Sequence, residues 1–124
     1  MMRAIRAVVA AAALFSMLTA CSGEQPPMDP AAIDATLSTE PAPAMAGSPV
    51  ELRAAFTGAS FSDKVSVTFD VRLGDRPELF DASNEGDGLF NGKFTFPEKG
   101  VYDVYLHLYV DDLHITKKKQ VEVQ

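Results

Sequence analysis

Residues 64–73 read KVSVTFDVRL, and this stretch decides the fold class. Apolar side chains alternate with polar or charged ones along it: Val65, Val67, Phe69 and Val71 against Ser66, Thr68, Asp70 and Arg72. Successive side chains of a β-strand point to opposite faces of a sheet, so one face of this strand is apolar and the other is polar. The pattern predicts a strand that covers a core on one side only.

Six further stretches of strand length surround this one, separated by residues typical of turns: 33–37, 50–56, 78–80, 89–96, 101–110 and 113–123. Short strands at this spacing are typical of sandwiches. We predict an all-β domain over residues 33–124, an immunoglobulin-like antiparallel β-sandwich of about seven strands. The glycine-rich stretch 84–88 is expected to be a turn. The expected core includes Phe69, Phe94, Phe96, Tyr102, Val104 and Leu106.

The composition excludes several classes of function. The 124 residues carry 17 acidic against 11 basic side chains, a formal net charge of −6, and a nucleic-acid partner is not expected because such binding needs clustered Lys and Arg. The chain has one cysteine, which permits neither an intramolecular disulfide nor a cysteine-based zinc cage. Stability must then come from the hydrophobic core.

The N-terminus has the pattern of a secretory signal. Arg3 and Arg6 precede a largely apolar run, residues 7–18, that is too short to span a bilayer comfortably. Residues 18–21, LTAC, resemble the lipobox of bacterial lipoproteins. The resemblance implies cleavage after residue 20 and lipidation of Cys21. The alternative is a secreted protein without lipid that carries a free thiol.

These features divide the chain into three parts. Residues 1–20 are the lipoprotein signal peptide, residues 21–32 are the lipidated cysteine and a flexible Pro-rich tether, and residues 33–124 are the sandwich. The tether has a reach of at most about 34 Å at roughly 3.1 Å per residue. We expect a protein held at the extracytoplasmic face of the cell membrane by its lipid.

Residues 87–102, DGLFNGKFTFPEKGVY, lead to two Leu-His pairs at 106–107 and 113–114. This pattern resembles the YtkA-like (FixH-related) domain of bacterial envelope proteins. The resemblance implies an immunoglobulin-like sandwich outside the membrane and no established enzymatic activity. Some relatives are associated with respiratory-oxidase assembly and with cation or copper handling, but a lipid anchor here replaces the transmembrane helix of the FixH type. Tyr102, just after a glycine turn, is the expected tyrosine corner of the sandwich.

The sequence offers no convincing catalytic constellation, and we expect no enzyme. There is no G-x-S-x-G motif, and Cys21 is assigned to lipidation. Asp111 and Asp112 could form an acid–base pair but are more typical of a turn. Residues 81–92 loosely resemble a calcium loop, yet the twelfth position is Gly92 rather than glutamate, which favours a turn there too.

Two histidines are the remaining candidates for chemistry. If Asp111–Asp112 is a two-residue turn, Tyr109 pairs with His114 and His107 pairs with Thr116, and both histidines face outward as diagonal neighbours. Such a pair could share a metal ion, copper or zinc, since imidazole is a common ligand. The alternative is a pair of solvated or aromatic-packed histidines.

Other polar and soft side chains could add to this surface. Met28 and Met45 would complete a soft copper site only if the Pro-rich segments fold back onto the histidines. Lys117–Lys119 could contact anionic lipid or a partner, or could protect an edge strand from aggregation.

Two classes of function therefore remain open. The first is a non-enzymatic accessory protein of the envelope that binds a metal ion such as copper, or an envelope protein partner. The second is a structural or recognition module that binds another surface protein or a glycan.

Overall fold

The computed structural model describes residues 25–124; Cys21 and the expected signal peptide 1–20 lie outside the described residues. The described part contains eight strands and one 3-10 helix at Pro30–Ala32. The strands are β1 Asp34–Glu40, β2 Pro49–Thr57, β3 Ser66–Leu73, β4 Arg76–Asp81, β5 Ser83–Gly86, β6 Leu89–Thr95, β7 Gly100–Val110 and β8 Leu113–Val123. From residue 25 onward the structure contains no helix that is long and apolar enough to cross a membrane.

The strands form two four-stranded antiparallel sheets that pack face to face. We name them sheet A, with the order β1-β2-β6-β5, and sheet B, with the order β4-β3-β7-β8. This is the order of an immunoglobulin constant-type domain with one additional edge strand beside β3. The predicted immunoglobulin-like β-sandwich is confirmed.

The core lies between the inner faces of the two sheets. The apolar residues of β3 face it as predicted, and Phe69 and Val71 have no exposed surface. Of the six expected core residues, four are fully buried and two, Phe94 and Tyr102, are partly buried at its margin. Gly92 of β6 also faces the core, where the rings of Phe69 and Phe80 occupy the space that a larger side chain would need.

The stretch expected to be a turn contains an additional strand. Ser83–Gly86 forms β5, which pairs with β6 through a register shift between Asn84 and Gly86. All four residues of β5 are exposed, so no alternation of apolar and polar residues marks this strand in the sequence. The Asn84 amide stabilises it by donating hydrogen bonds to the carbonyls of Ser62 and Val65. The turn itself is confined to Asp87 and Gly88.

The expected tyrosine corner is present at the start of β7. The Tyr102 hydroxyl donates to the carbonyl oxygen of Glu98 at 2.7 Å and accepts from the amide of Glu98 at 3.2 Å. The hydroxyl therefore returns to the backbone four residues upstream, as the sequence predicts.

The segment before β1 contacts the domain. The Gln25 side chain donates to the carbonyl of Ser60 and accepts from the amide of Ser62, both in the β2–β3 loop. Asp29 caps the 3-10 helix, and Met28 packs against the core. The part of the expected tether that follows residue 24 thus lies against the sandwich.

Lys117–Lys119 lie on β8, which is one of the two edge strands of sheet B. Lys118 is on the outer face, 3.7 Å from the Asp103 carboxylate. Lys119 has the opposite orientation and approaches Asp34 of β1 at 3.9 Å. The three lysines do not share one face, and their position fits protection of a sheet edge.

Candidate functional site

The β7–β8 hairpin places both histidines on the outer face of sheet B. Asp111 and Asp112 form the two-residue turn, with Asp111 in the left-handed region at φ 50°. His107 is opposite Thr116, and Tyr109 is opposite His114. The predicted register and the predicted diagonal arrangement of the histidines are confirmed.

The two imidazole rings meet directly. Nδ1 of His107 lies 3.0 Å from Nε2 of His114. The hydroxyl oxygen of Thr116 lies 3.2 Å from the first of these nitrogens and 3.3 Å from the second. These two nitrogens and the hydroxyl oxygen, each of which can offer a lone pair to a metal ion, form a triangle with sides of about 3 Å on the surface of the sheet. We call it the donor triangle.

The other ring nitrogen of His107, Nε2, forms a hydrogen bond with the carboxylate of Asp70 on β3. Oδ2 of Asp70 lies 3.1 Å from Nε2 of His107, across the antiparallel pair of β3 and β7. Asp70 is 3% exposed and is the one charged residue that is fully buried among residues 25–124. A buried carboxylate is costly unless it is paired and hydrogen-bonded, so its partners define its role.

Arg72 supplies the countercharge to Asp70. Its Nε donates to Oδ1 at 2.8 Å and its Nη2 donates to Oδ2 at 2.9 Å, a two-pronged contact that fixes the plane of the carboxylate. The Arg72 guanidinium holds the pKa of the Asp70 carboxyl below its usual value against the opposing effect of burial, and the hydrogen bond from His107 lowers this pKa further. Asp70 is therefore ionised at neutral pH.

Aromatic rings surround this cluster. Tyr105, His107 and Tyr109 stack along β7 with centroids 6.5 and 6.4 Å apart, and the His114 ring stacks on Tyr109 at 4.3 Å. Arg72 lies over the Tyr105 ring at 4.6 Å from its centroid. The rings limit the motion of His107, whose side chain is only 16% exposed.

The structure does not bring the methionines to the histidines. Met28 lies beside the inward-facing Val110 and Leu113. Met45 lies in the β1–β2 loop, where its neighbours Ala44 and Ala46 form backbone hydrogen bonds with Gln124. Gln124 is ten residues beyond His114, which corresponds to about 33 Å along the strand direction. Residues 25–124 contain no group of three or more His, Cys, Asp or Glu side chains that could hold a metal ion.

Sequence reasoning missed the roles of Asp70 and Arg72. The alternation of β3 places both on the outer face, but the contact of Asp70 with His107 depends on the pairing of β3 with β7, which no local signal in the sequence predicts. The available signal was the pattern Asp-x-Arg on one strand face, where the two side chains lie close enough for an ion pair.

No family model and no curated protein matches the chain. Among solved structures, it is similar to the crystal structure of an engineered protein, with a TM-score of 0.57 and 18% identity over 77% of this chain. The match spans only 21% of that protein. At this identity, the likeness shows the fold alone.

Proposed function

We propose that the protein is a non-enzymatic, lipid-anchored accessory protein of the bacterial envelope that binds a metal ion on the outer face of sheet B. His107 ligates through Nδ1 and His114 through Nε2. The observation that carries this proposal is the 3.0 Å separation of these two nitrogens, with the opposite nitrogen of His107 on a buried carboxylate. Metal-binding histidines generally have such a carboxylate or carbonyl partner.

The distances within the donor triangle fit an ion. For metal–nitrogen bonds of about 2.05 Å, two donors lie about 2.9 Å apart at a right angle and about 3.3 Å apart at the tetrahedral angle. The nitrogens of His107 and His114 and the Thr116 oxygen are separated by 3.0, 3.2 and 3.3 Å. To bind an ion above this triangle, the two rings must turn so that the lone pairs of both nitrogens point at the ion rather than along the line that joins them.

The donors favour a borderline divalent ion. Imidazole suits Cu(II) and Zn(II), whereas thiolate and thioether ligands select Cu(I), and neither Met28 nor Met45 lies with the histidines. With two nitrogens and one hydroxyl as ligands, the ion keeps coordination positions for water or for a ligand from another molecule. Such an open site suits the transfer of an ion between proteins better than its permanent storage.

Metal titration of the purified full chain in detergent micelles tests the proposal. We expect Cu(II) or Zn(II) to bind the wild type with one ion per chain, and binding to be lost in H107A and in H114A. Lys118→Gln, which changes the same face without touching the histidines, should bind as the wild type does. Identical calorimetric titrations of the wild type and of H107A/H114A, which has no histidine left, would falsify the proposal.

The membrane anchor is the second part of the proposed function. The basic and apolar N-terminus followed by LTAC supports lipidation of Cys21, and several acyl chains are needed for stable attachment. The resemblance of residues 87–102 to the YtkA-like domain supports the extracytoplasmic location.

The stacked rings favour a second candidate, a recognition module for a glycan or a surface protein. Tyr109 is 39% exposed and stacks on His114, so its ring offers a flat apolar surface of the kind that packs against sugar rings. Screening the full chain on bacterial glycans, with Tyr109→Ala as the variant, tests this candidate. Glycan binding that depends on Tyr109 in a chain that binds no metal would favour it over the first.

A further inference from the structure

We infer that Asp70 and Arg72 are positioning residues that fix His107 as the tautomer with its proton on Nε2, so that an arriving ion finds a free lone pair on Nδ1. The inference deepens the proposed function and rests on it for the identity of the ligand. It adds that metal binding changes the tautomer of His114 and leaves that of His107 unchanged.

The tautomer of His107 follows from its contact with Asp70. An ionised carboxylate can only accept hydrogen bonds, so Nε2 of His107, 3.1 Å from Oδ2, must be the donor. A neutral imidazole carries one N–H group, and Nδ1 is therefore left with its lone pair toward His114. The Arg72 fork holds both carboxylate oxygens, which prevents Asp70 from turning away from the ring.

The tautomer of His114 follows from that of His107. Two lone pairs facing each other at 3.0 Å would repel, so Nε2 of His114 must carry a proton and donate it to Nδ1 of His107 when no ion is bound. An ion that is bound by both rings needs a lone pair on both nitrogens. The proton of His114 therefore leaves Nε2 and a proton is gained at Nδ1 of the same ring through solvent, with no net release.

Nitrogen NMR distinguishes a protonated ring nitrogen from an unprotonated one and so measures these tautomers directly. The signals are few, because the chain contains only two histidines and hence four ring nitrogens. The full chain, labelled with ¹⁵N-histidine, is observed in micelles at about pH 8, where free imidazole is neutral. Without metal, we expect the proton on Nε2 of both rings. With Zn(II), chosen because it is diamagnetic, the His107 proton should stay on Nε2 and the His114 proton should move to Nδ1.

Two variants test the role of the ion pair. Asp70→Leu removes the acceptor while keeping the branching of the side chain, and Arg72→Lys keeps the positive charge but loses the two-pronged contact. Asp70→Leu should give a mixture of His107 tautomers and lower zinc affinity by about 10- to 100-fold, the usual effect of losing such a partner. Arg72→Lys should have a smaller effect in the same direction. Lys118→Gln is the matched control and should change neither measurement.

The outcomes separate the inference from the proposed function. A wild type with the His107 proton on Nδ1, or an Asp70→Leu variant with wild-type tautomers and zinc affinity, overturns the inference while metal binding stands. A wild type that has the expected tautomers but binds no metal overturns the proposed function, and with it the metal-dependent change of the His114 tautomer. That result still supports the assignment of Asp70 as the group that orients His107.

Discussion

Nε2 of His107 lies 3.1 Å from Oδ2 of Asp70, which joins two side chains 37 residues apart across the outer face of sheet B. The same carboxylate accepts two hydrogen bonds from Arg72. One buried anion therefore connects β3 to β7 at the point where β7 carries its histidine.

The Asp70 carboxylate should make the free energy of unfolding depend on pH in the acid range. Its pKa is lower in the folded protein than the usual value of about 3.9, chiefly because of Arg72, so its stabilising effect is present above about pH 4. This effect is lost as the pH falls through the lowered pKa. Asp70→Asn should cost about 1–3 kcal/mol at pH 7 and should flatten the acid limb of the stability curve.

Urea unfolding of the wild type and of Asp70→Asn between pH 7 and pH 2 measures this effect. Asp103→Asn, which changes a partly exposed carboxylate on the same sheet face, is the control and should retain the acid limb. Acid limbs of equal slope in the wild type and in Asp70→Asn would contradict the prediction.

A side chain at position 92 should be destabilising because of packing rather than backbone conformation. A Cβ at this position would lie 2.8 Å from the Phe80 ring and 3.1 Å from the Phe69 ring. Gly92→Ala should lower the free energy of unfolding by about 1–3 kcal/mol, the usual cost of overpacking a core.

A double-mutant cycle with Phe80→Leu isolates the cause of this loss. The smaller side chain makes room for the new methyl group, so Gly92→Ala should cost less in the Phe80→Leu background. An equal cost in both backgrounds would show that the Phe80 ring is not the obstacle.

The tyrosine corner should make a modest contribution to stability. Tyr102→Phe removes the hydrogen bond that the hydroxyl donates to the Glu98 carbonyl and the one that it accepts from the Glu98 amide. The variant should lower the free energy of unfolding by about 0.5–1.5 kcal/mol. Tyr109→Phe is the control on the same strand, since its ring is 39% exposed, and should change the free energy of unfolding by less than about 0.5 kcal/mol. Equal effects of the two variants in chemical denaturation would argue against a special role for the corner.

Cys21→Ala should abolish both lipoprotein processing and lipid-dependent membrane retention. The proposed lipid is attached to the sulfur, and without it the signal peptide loses its lipoprotein cleavage site. Fractionation of cells and the mass of the mature chain measure the two effects. Ser22→Ala is the control. A Cys21→Ala chain that is cleaved normally and still sediments with membranes would show that the lipoprotein interpretation is wrong.

The sequence was sufficient for features that depend on near neighbours along the chain. The alternation of β3 identifies which of its residues face the core. The pair Asp111–Asp112 predicts a two-residue turn, and that turn alone determines that His107 and His114 are diagonal neighbours. The step from Gly100 to Tyr102 likewise predicts the corner.

Features that depend on distant parts of the chain could not be predicted. Asp70 meets His107 because β3 lies beside β7 in sheet B, although three strands, β4, β5 and β6, separate them along the chain. β5 was missed for another reason: its four residues are exposed and none has an apolar side chain, so its pairing with β6 leaves no pattern in the sequence.

The N-terminal segment reaches the sandwich at the end that carries the β7–β8 turn. Gln25–Met28 and Val110–Leu113 line one groove of about 500 Å³ there, and His114 follows directly. With Cys21 acylated as proposed, the four peptide units between it and Gln25 span at most about 14 Å, so the histidines stay close to the lipid headgroups. A metal donor or acceptor confined to the same membrane would then meet them by lateral diffusion, with an advantage over any carrier dissolved in the surrounding fluid.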